Sequence, residues 1–208
     1  MSYFITNCFN WIGFHIVNDL LERGFEVAGQ DTFSTATAEQ LAMMVGRNDL
    51  FSLVTDEKTT KKHYQTMIVN GASEPPLHIH AEKSFKLCRG EEENPESNMV
   101  TIKLPLLFGE WMPMNEHGVY DQQTFIPFDS ETFYNEAVHI EDFLPSFMQC
   151  LQASRLPSRL EIRSQKQESF DVVNGKQMVF PLHVGQIHRQ VKSLTNHYRR
   201  FKSLYPYN

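Results

Sequence analysis

The chain has 208 residues, a formal net charge of −6, 41% hydrophobic residues and three cysteines. That length and apolar content suit one compact domain with a core of its own, which excludes a disordered chain. The acidic balance, with no basic stripe along most of the chain, argues against nucleic acid as a partner; three widely spaced cysteines (Cys8, Cys88, Cys150) indicate neither a disulfide framework nor a zinc knuckle, and no apolar run approaches a membrane span.

The first segment, Tyr3-Phe4-Ile5-Thr6 followed by Asn7-Cys8-Phe9-Asn10-Trp11-Ile12-Gly13, reads as a buried strand, a tight turn and a helix start. A dinucleotide-binding turn of the form G-x-x-G-x-x-G needs its first glycine for backbone conformation, its second for approach of the pyrophosphate and its third for helix–strand packing. Here those positions hold Asn7, Asn10 and Gly13. Asparagine replaces glycine best at positive φ, so the turn survives both changes while room for a phosphate does not. Ile16, Val17, Leu20 and Leu21 continue at helical spacing, and Gly24 closes the helix. The strand Phe25-Glu26-Val27-Ala28-Gly29-Gln30 ends on Asp31, where a dinucleotide's ribose would be bonded through its hydroxyls. The competing reading of Asp31 is a turn aspartate before a Ser/Thr-rich loop.

A helix over residues 38–44, a strand over 50–54 and a strand at Thr66-Met67-Ile68-Val69 follow. This alternation implies parallel strands with covering helices. Residues 70–98 leave room for a Pro-Pro loop and one helix over 81–89 before the strand Met99-Val100-Thr101-Ile102-Lys103-Leu104, so one sheet strand fewer than usual is expected. Beyond Pro105, residues 108–133 are rich in Gly, Pro, Asn, Asp and aromatics and read as long loops forming a small lobe. Ile140, Phe143, Leu144, Phe147, Met148 and Leu151 place an apolar stripe on a helix begun by Glu141-Asp142. A strand over 159–162, a hairpin turning at Asn174-Gly175 and a final helix over 184–204 complete the chain. That helix has Ile187, Val191, Leu194, Tyr198 and Phe201 on one face, and its Arg189, Lys192, Arg199, Arg200 and Lys202 face reads as a solvated surface. One domain over 1–208 is expected, with 108–135 and 155–185 contributing the small lobe.

Three other groupings compete for a function. His78-Ile79-His80 with Glu82 comes nearest to a metal-ligand set, but it follows Pro75-Pro76 where convergence is not assured, and no metal site is expected. A histidine general base at His78 or His80 near Lys83 has the right chemistry but no nucleophile or oxyanion donor beside it. Cys8, at a helix N-terminus, reads as a small core filler rather than an activated thiol.

Four blocks together resemble the extended short-chain dehydrogenases/reductases, the NAD-dependent epimerase/dehydratase group that acts on nucleotide sugars. Thr6 to Val17 is similar to that family's Thr-Gly-Gly-x-Gly-Phe-Ile-Gly-x-His turn, with Thr6, Ile12, Gly13 and His15 retained. Glu26 to Asp31 resembles the second strand with its ribose-binding acid. Ile102 to Trp111 resembles the Arg-x-x-Asn-x-Tyr-Gly-Pro stretch, and Ala137 to Phe143 the Phe-Val-x-Val-x-Asp-Val segment. The resemblance implies a Rossmann-like α/β fold, doubly wound around a mainly parallel sheet and lacking about one βα unit. It implies NAD or NADP bound weakly or not at all, with Asn7, Asn10, Trp11, Ile12, Gly13 and Asp31 at the cofactor positions.

The departures bear on function. Family catalysis rests on a Ser or Thr after the fifth strand and a Tyr-x-x-x-Lys pair, the tyrosine acting as general acid/base and the lysine lowering its pKa. Lys83 or Lys86 falls near the lysine position, yet Ile79 and Glu82 stand where the tyrosine would be. Lys83 is therefore a catalytic candidate without its partner. The first reading is a pseudoenzyme: a non-catalytic member kept for ligand binding, with a nucleotide sugar as ligand, or for association with another protein or a paralogue. The alternative is an active NAD-dependent epimerase/dehydratase with rebuilt catalytic groups. No nucleic acid and no membrane are expected as partners. With no basic leader and no small-residue cleavage site at the start, a cytoplasmic setting is expected.

Overall fold

The structure, a computed structural model, describes residues 1–54, 63–72, 74, 76, 78–90, 99–164, 177–182 and 187–205. The chain divides into two compact units, the first Met1–Lys103 with Pro157–Arg159, the second Leu104–Leu156 with Leu160–Asn208. The segment 108–135, expected to form a small lobe, lies within the second.

The first unit runs β1 (Ser2–Thr6), α1 (Trp11–Glu22), β2 (Glu26–Gln30), α2 (Ala36–Val45), β3 (Phe51–Leu53), β4 (His63–Asn70), β5 (His80–Cys88) and β6 (Val100–Lys103). These six strands lie in the order β6-β5-β4-β1-β2-β3, every neighbouring pair parallel. The fold class is Rossmann-like, as the alternation implied. α1 buries Phe14, Ile16, Val17, Leu20 and Leu21, and Gly24 at φ 79° ends it, as its position predicts. α2 is capped by Thr35, whose hydroxyl accepts from Ala38 N–H at 3.1 Å. Because β1, β2 and β3 succeed one another in one direction, right-handed crossovers put α1 and α2 on the same face of the sheet.

The opposite face differs from the expectation. Residues 80–88, expected as a helix over 81–89, form β5 between β4 and β6, so the strand expected to be missing is present. The register explains why. It pairs His63 with His80 and Asn70 with Leu87, so the connection from Asn70 to His80 must run back along β4, about 23 Å at ~3.3 Å per residue. Ten helical steps would cover only about 15 Å, whereas an extended chain reaches ~33 Å. Ten residues are therefore too few to return as a helix, and among the described residues of this unit no helix covers the second face. Phe4, Ala28, Tyr64, Met67 and Val69 instead pack against Ile79 and Met99 from the two connecting segments, with Val54 and Ala81 beside them.

The second unit contains β7 (Leu106–Phe108), β8 (Met114–Asn115), β9 (Gly118–Asp121), β10 (Thr124–Pro127), α3 (Glu131–Glu136), β11 (Ala137–His139), α4 (Ile140–Gln152), β12 (Arg159–Ser164), β13 (Gln177–Leu182) and α5 (Ile187–Arg200), β12 beginning at the last residue of the first unit. β7 pairs in parallel with β11. Residues 108–133, expected as loops, instead contain the antiparallel sheet β8-β9-β10. Its second turn places Gln122 and Gln123 at φ 46° and 72°, the left-handed pair that a two-residue hairpin requires, without the usual glycine. α4 buries Ile140, Phe143, Leu144, Phe147, Met148 and Leu151, the stripe read from the sequence, and α5 buries Ile187, Leu194 and Tyr198. The expected hairpin turn at Asn174-Gly175, Pro75 of the Pro-Pro loop and the start of the last helix at Val184 lie outside the described residues.

His139 caps α4 through Nδ1, which accepts from Glu141 N–H at 3.4 Å, so its proton sits on Nε2. Burial holds the imidazole below its ordinary pKa, with the Asp142 charge pulling the other way. A histidine favoured neutral in the folded state stabilises fully above its unfolded value of about 6.5, and that contribution is lost as pH falls through the lower folded value. Protonation also removes the acceptor lone pair and sets a cation at a helix N-terminus. His139→Asn should keep the cap without titrating, so melting curves between pH 7.5 and 5 should fall less steeply than in the wild type. His139→Ala should cost about 1 kcal/mol at pH 7.5 and less at pH 5; parallel pH profiles for all three chains would contradict this account.

Candidate functional site

The turn between β1 and α1 stands at the carboxyl ends of β1 and β4. Asn7 occupies the left-handed region, φ 47°, where the first glycine would stand. Its Nδ2 donates to the Asn70 carbonyl at 2.9 Å, and Asn70 Nδ2 donates back to the Asn7 carbonyl at 3.2 Å. Asn70 N–H also donates to Thr6 Oγ1 at 3.0 Å. Asn10 differs from the expectation of a second positive φ: at φ −63°, ψ 148° it is the extended N-cap of α1, and its Oδ1 accepts from Ile12 N–H at 3.1 Å. Trp11 and Ile12 open the helix, half-buried. Gly13 keeps the third glycine's packing role, since a Cβ there would lie 2.3 Å from the Asn7 carbonyl oxygen and 2.9 Å from Asn70 Nδ2.

Asp31 follows β2 directly. Its Oδ2 accepts from Phe9 N–H at 2.8 Å and its Oδ1 from Phe33 N–H at 2.9 Å. One carboxylate thus secures the β1–α1 turn and orders the next loop, where Phe33 sits at φ 51° with its ring 5.4 Å from that of Phe9. Each carboxylate oxygen has a second lone pair, so the turn-aspartate role does not exhaust what Asp31 can accept. Behind it lies Cys8, fully buried, its thiol pushed well above the ordinary range by burial and then by the Asp31 charge. That environment suits a core filler, not an activated thiol. The thiol occupies space left by Gly29, where a Cβ would lie 2.6 Å from Cys8 Sγ.

Lys83 is on β5, opposite Thr66 of β4. Ile79, four residues earlier, is buried in the apolar cluster. Positions i and i+4 adjoin on a helix but lie about 13 Å apart along a strand, so Lys83 and residue 79 are not neighbours of the kind a helical spacing gives. Tyr64 is near the amino end of β4, away from the Asn7 turn. His80 and Glu82 are exposed on β5. No group of three His, Cys, Asp or Glu able to hold a metal occurs among the described residues. Asn70 was not singled out in the sequence; its signal was a polar residue closing the apolar run Met67-Ile68-Val69, at a position that proves 4% exposed.

The second unit has a polar cluster of its own. Trp111, at φ 67°, donates its N–H to Tyr205 Oη at 3.1 Å, and that phenol lies 2.7 Å from His197 Nδ1. His197 Nε2 is 3.4 Å from Glu110 Oε2. Burial, then the Arg200 charge, lowers the His197 pKa, while burial and then the Glu141 charge raise that of Glu110. The two rings of Trp111 and Tyr205 stack at 5.5 Å. This arrangement clamps a strained backbone.

No protein-family model matches the sequence, and no curated protein matches it. Solved structures do share the fold. A UDP-glucuronic acid 4-epimerase from Bacillus cereus, solved with NAD and a fluorinated UDP-sugar, aligns with TM-score 0.59 at 11% identity, over 96% of this chain and 99% of that one. A dTDP-glucose 4,6-dehydratase from Bacillus anthracis, solved with NAD, aligns with TM-score 0.60 at 8% identity, over 99% and 98%. A yeast methylglyoxal/isovaleraldehyde reductase complexed with NADPH gives 0.59 at 13%, over 98% and 100%. At these identities the likeness establishes architecture: the chain has the fold of the extended NAD-dependent epimerases and dehydratases. No helix among the described residues is long and apolar enough to cross a membrane.

The contact between Gly29 and Cys8 gives a direct test of the packing behind the site. Gly29→Ala should destabilise the chain by about 1–3 kcal/mol through overpacking. In a Cys8→Ala background, which removes the sulfur, the same change should cost less by at least about 0.5 kcal/mol. Equal costs in both backgrounds in urea titrations would show that the two side chains do not compete for one space.

Proposed function

We propose that the protein is a non-catalytic relative of the nucleotide-sugar epimerases and dehydratases, its Rossmann-like unit kept for weak binding of a nucleotide-type ligand or for association with another protein. The observation that supports this reading most is Asn10 at the N-terminus of α1. In a dinucleotide site the first-turn amides and the helix dipole face the pyrophosphate. Here the Asn10 side chain takes the Ile12 N–H for itself. A diphosphate would have to displace that bond and the amide that makes it. Asp31 still has lone pairs for a ribose, so residual affinity rests on the adenosine half. The absence of a tyrosine four residues before Lys83, and that lysine's place on a strand, favour loss of the proton-transfer step.

Thermal denaturation with NAD and NADP tests this. At about 5 mM cofactor the wild type should melt within roughly 1 °C of the unliganded chain. Asn10→Gly sacrifices only roughly a few tenths of a kcal/mol at an N-cap, so the variant should fold. It should also gain about 2–4 °C with NAD, the rise given by about 1 kcal/mol of linkage at five times Kd. A clear rise in the wild type, or turnover of a UDP-sugar lost in Lys83→Ala, would instead support an active enzyme with rebuilt groups.

A further inference from the structure

Residues 172–208 contain six of the chain's 19 Lys and Arg and none of its 25 Asp and Glu, where an even spread would put about four of those acids. α5 concentrates the charge. Arg189, Lys192, Arg199 and Arg200 are exposed and fall within about 100° of the helix circumference over roughly 16 Å of its length. The opposite side is fixed, with Ile187, Leu194 and Tyr198 buried within the second unit and His197 bonded to Tyr205. The four cations therefore stand on a packed helix rather than on a loop, and little ordering opposes binding to them.

A solvated surface is the plain reading of such a face, and two observations go beyond it. The first is the segregation itself: on a chain of net charge −6, a face that gathers only cations along one helix attracts anions locally. The second is that a carboxylate already docks at its end. Glu116 Oε2 lies 3.3 Å from Arg199 Nη2, and Glu116 Oε1 lies 3.9 Å from Lys202 Nζ. Ser193 and Asn196 lie between and beside the cations, where a bilayer would want apolar side chains and single-stranded nucleic acid aromatic ones. Three of the four cations are arginines, whose planar forks match carboxylates two bonds at a time.

We propose that the basic face of α5 docks a short acidic polypeptide segment of a partner protein, its carboxylates succeeding one another along Arg189, Lys192, Arg199 and Arg200. The proposal deepens the protein-association reading above and rests on it. Amide NMR spectra of the full chain test it, with capped hexaglutamate as the probe at about 25 mM salt. Signals of α5 should move and saturate with a Kd of about 0.5 mM, and the response should fade at about 300 mM salt. Arg189→Gln combined with Lys192→Gln should raise that Kd about threefold or more. Arg47→Gln combined with Arg155→Gln removes equal charge from exposed positions elsewhere and should leave the Kd within about 1.5-fold. Both double variants should melt within about 2 °C of the wild type, so that folded chains are compared. Signals of α5 unmoved up to about 5 mM peptide, equal weakening in the two double variants, or tighter binding of hexathymidylate or of phosphatidylglycerol vesicles at the same salt would overturn the proposal. The NAD melting test reports the β1–α1 turn instead, so the docking surface and the non-catalytic reading fail separately.

Discussion

The reciprocal amide pairing of Asn7 with Asn70 is the constraint on which the first unit depends. Two side chains each satisfy the other's backbone carbonyl, and Thr6 receives the Asn70 N–H, so the carboxyl ends of the two central strands are joined by three hydrogen bonds. Each such bond contributes about 1 kcal/mol net, but removing one partner inside the fold strands the other and costs more. The left-handed backbone at Asn7, the close seat of Gly13 and the entry angle of α1 all follow from this joint. A diphosphate-binding turn leaves its first-turn amides free for a ligand. This one has one of them closed by Asn10 and its backbone held from within.

Much of this was legible in the sequence. The β1–turn–α1 unit, the Gly24 helix stop, the α4 stripe and the apolar face of α5 announce themselves through period and punctuation, because each buries one face against its own unit. Residues 80–88 did not. Ala81, Glu82, Lys83, Lys86 and Leu87 favour helix by propensity, but a place between two strands, with backbone groups to satisfy on both sides, overrides local preference. The Gln122–Gln123 turn was hidden for a related reason, since nothing in two glutamines advertises positive φ. Trp111 at φ 67° was equally silent; its strain is held by Tyr205, 94 residues away, and no local pattern encodes that.

At the candidate site the sequence grouped Asn7, Asn10, Gly13 and Asp31 about one turn, where the structure has them, but gave Asn10 the wrong conformation and passed over Asn70. Both errors come from treating the turn as a damaged glycine motif. The side chains that replaced glycine make bonds of their own, and a template built on glycine cannot list them. Lys83 illustrates the converse: its expected role rested on a helix, the element beneath it is a strand, and with that change go the neighbours a helical spacing implied.

The tether from β4 to β5 is a one-sided restraint. Ten steps must return along the whole of β4, about 23 Å, and still leave and rejoin the sheet, which a helix of that length could not do. Inserting residues there adds only logarithmic closure entropy, about 0.6 kcal/mol per doubling of length, whereas deleting two or three would pull the strands out of register. Natural length variation at this point should therefore run toward longer chains, and a helix spliced in there would have to take over the contacts that Ile79 and Met99 make on that face.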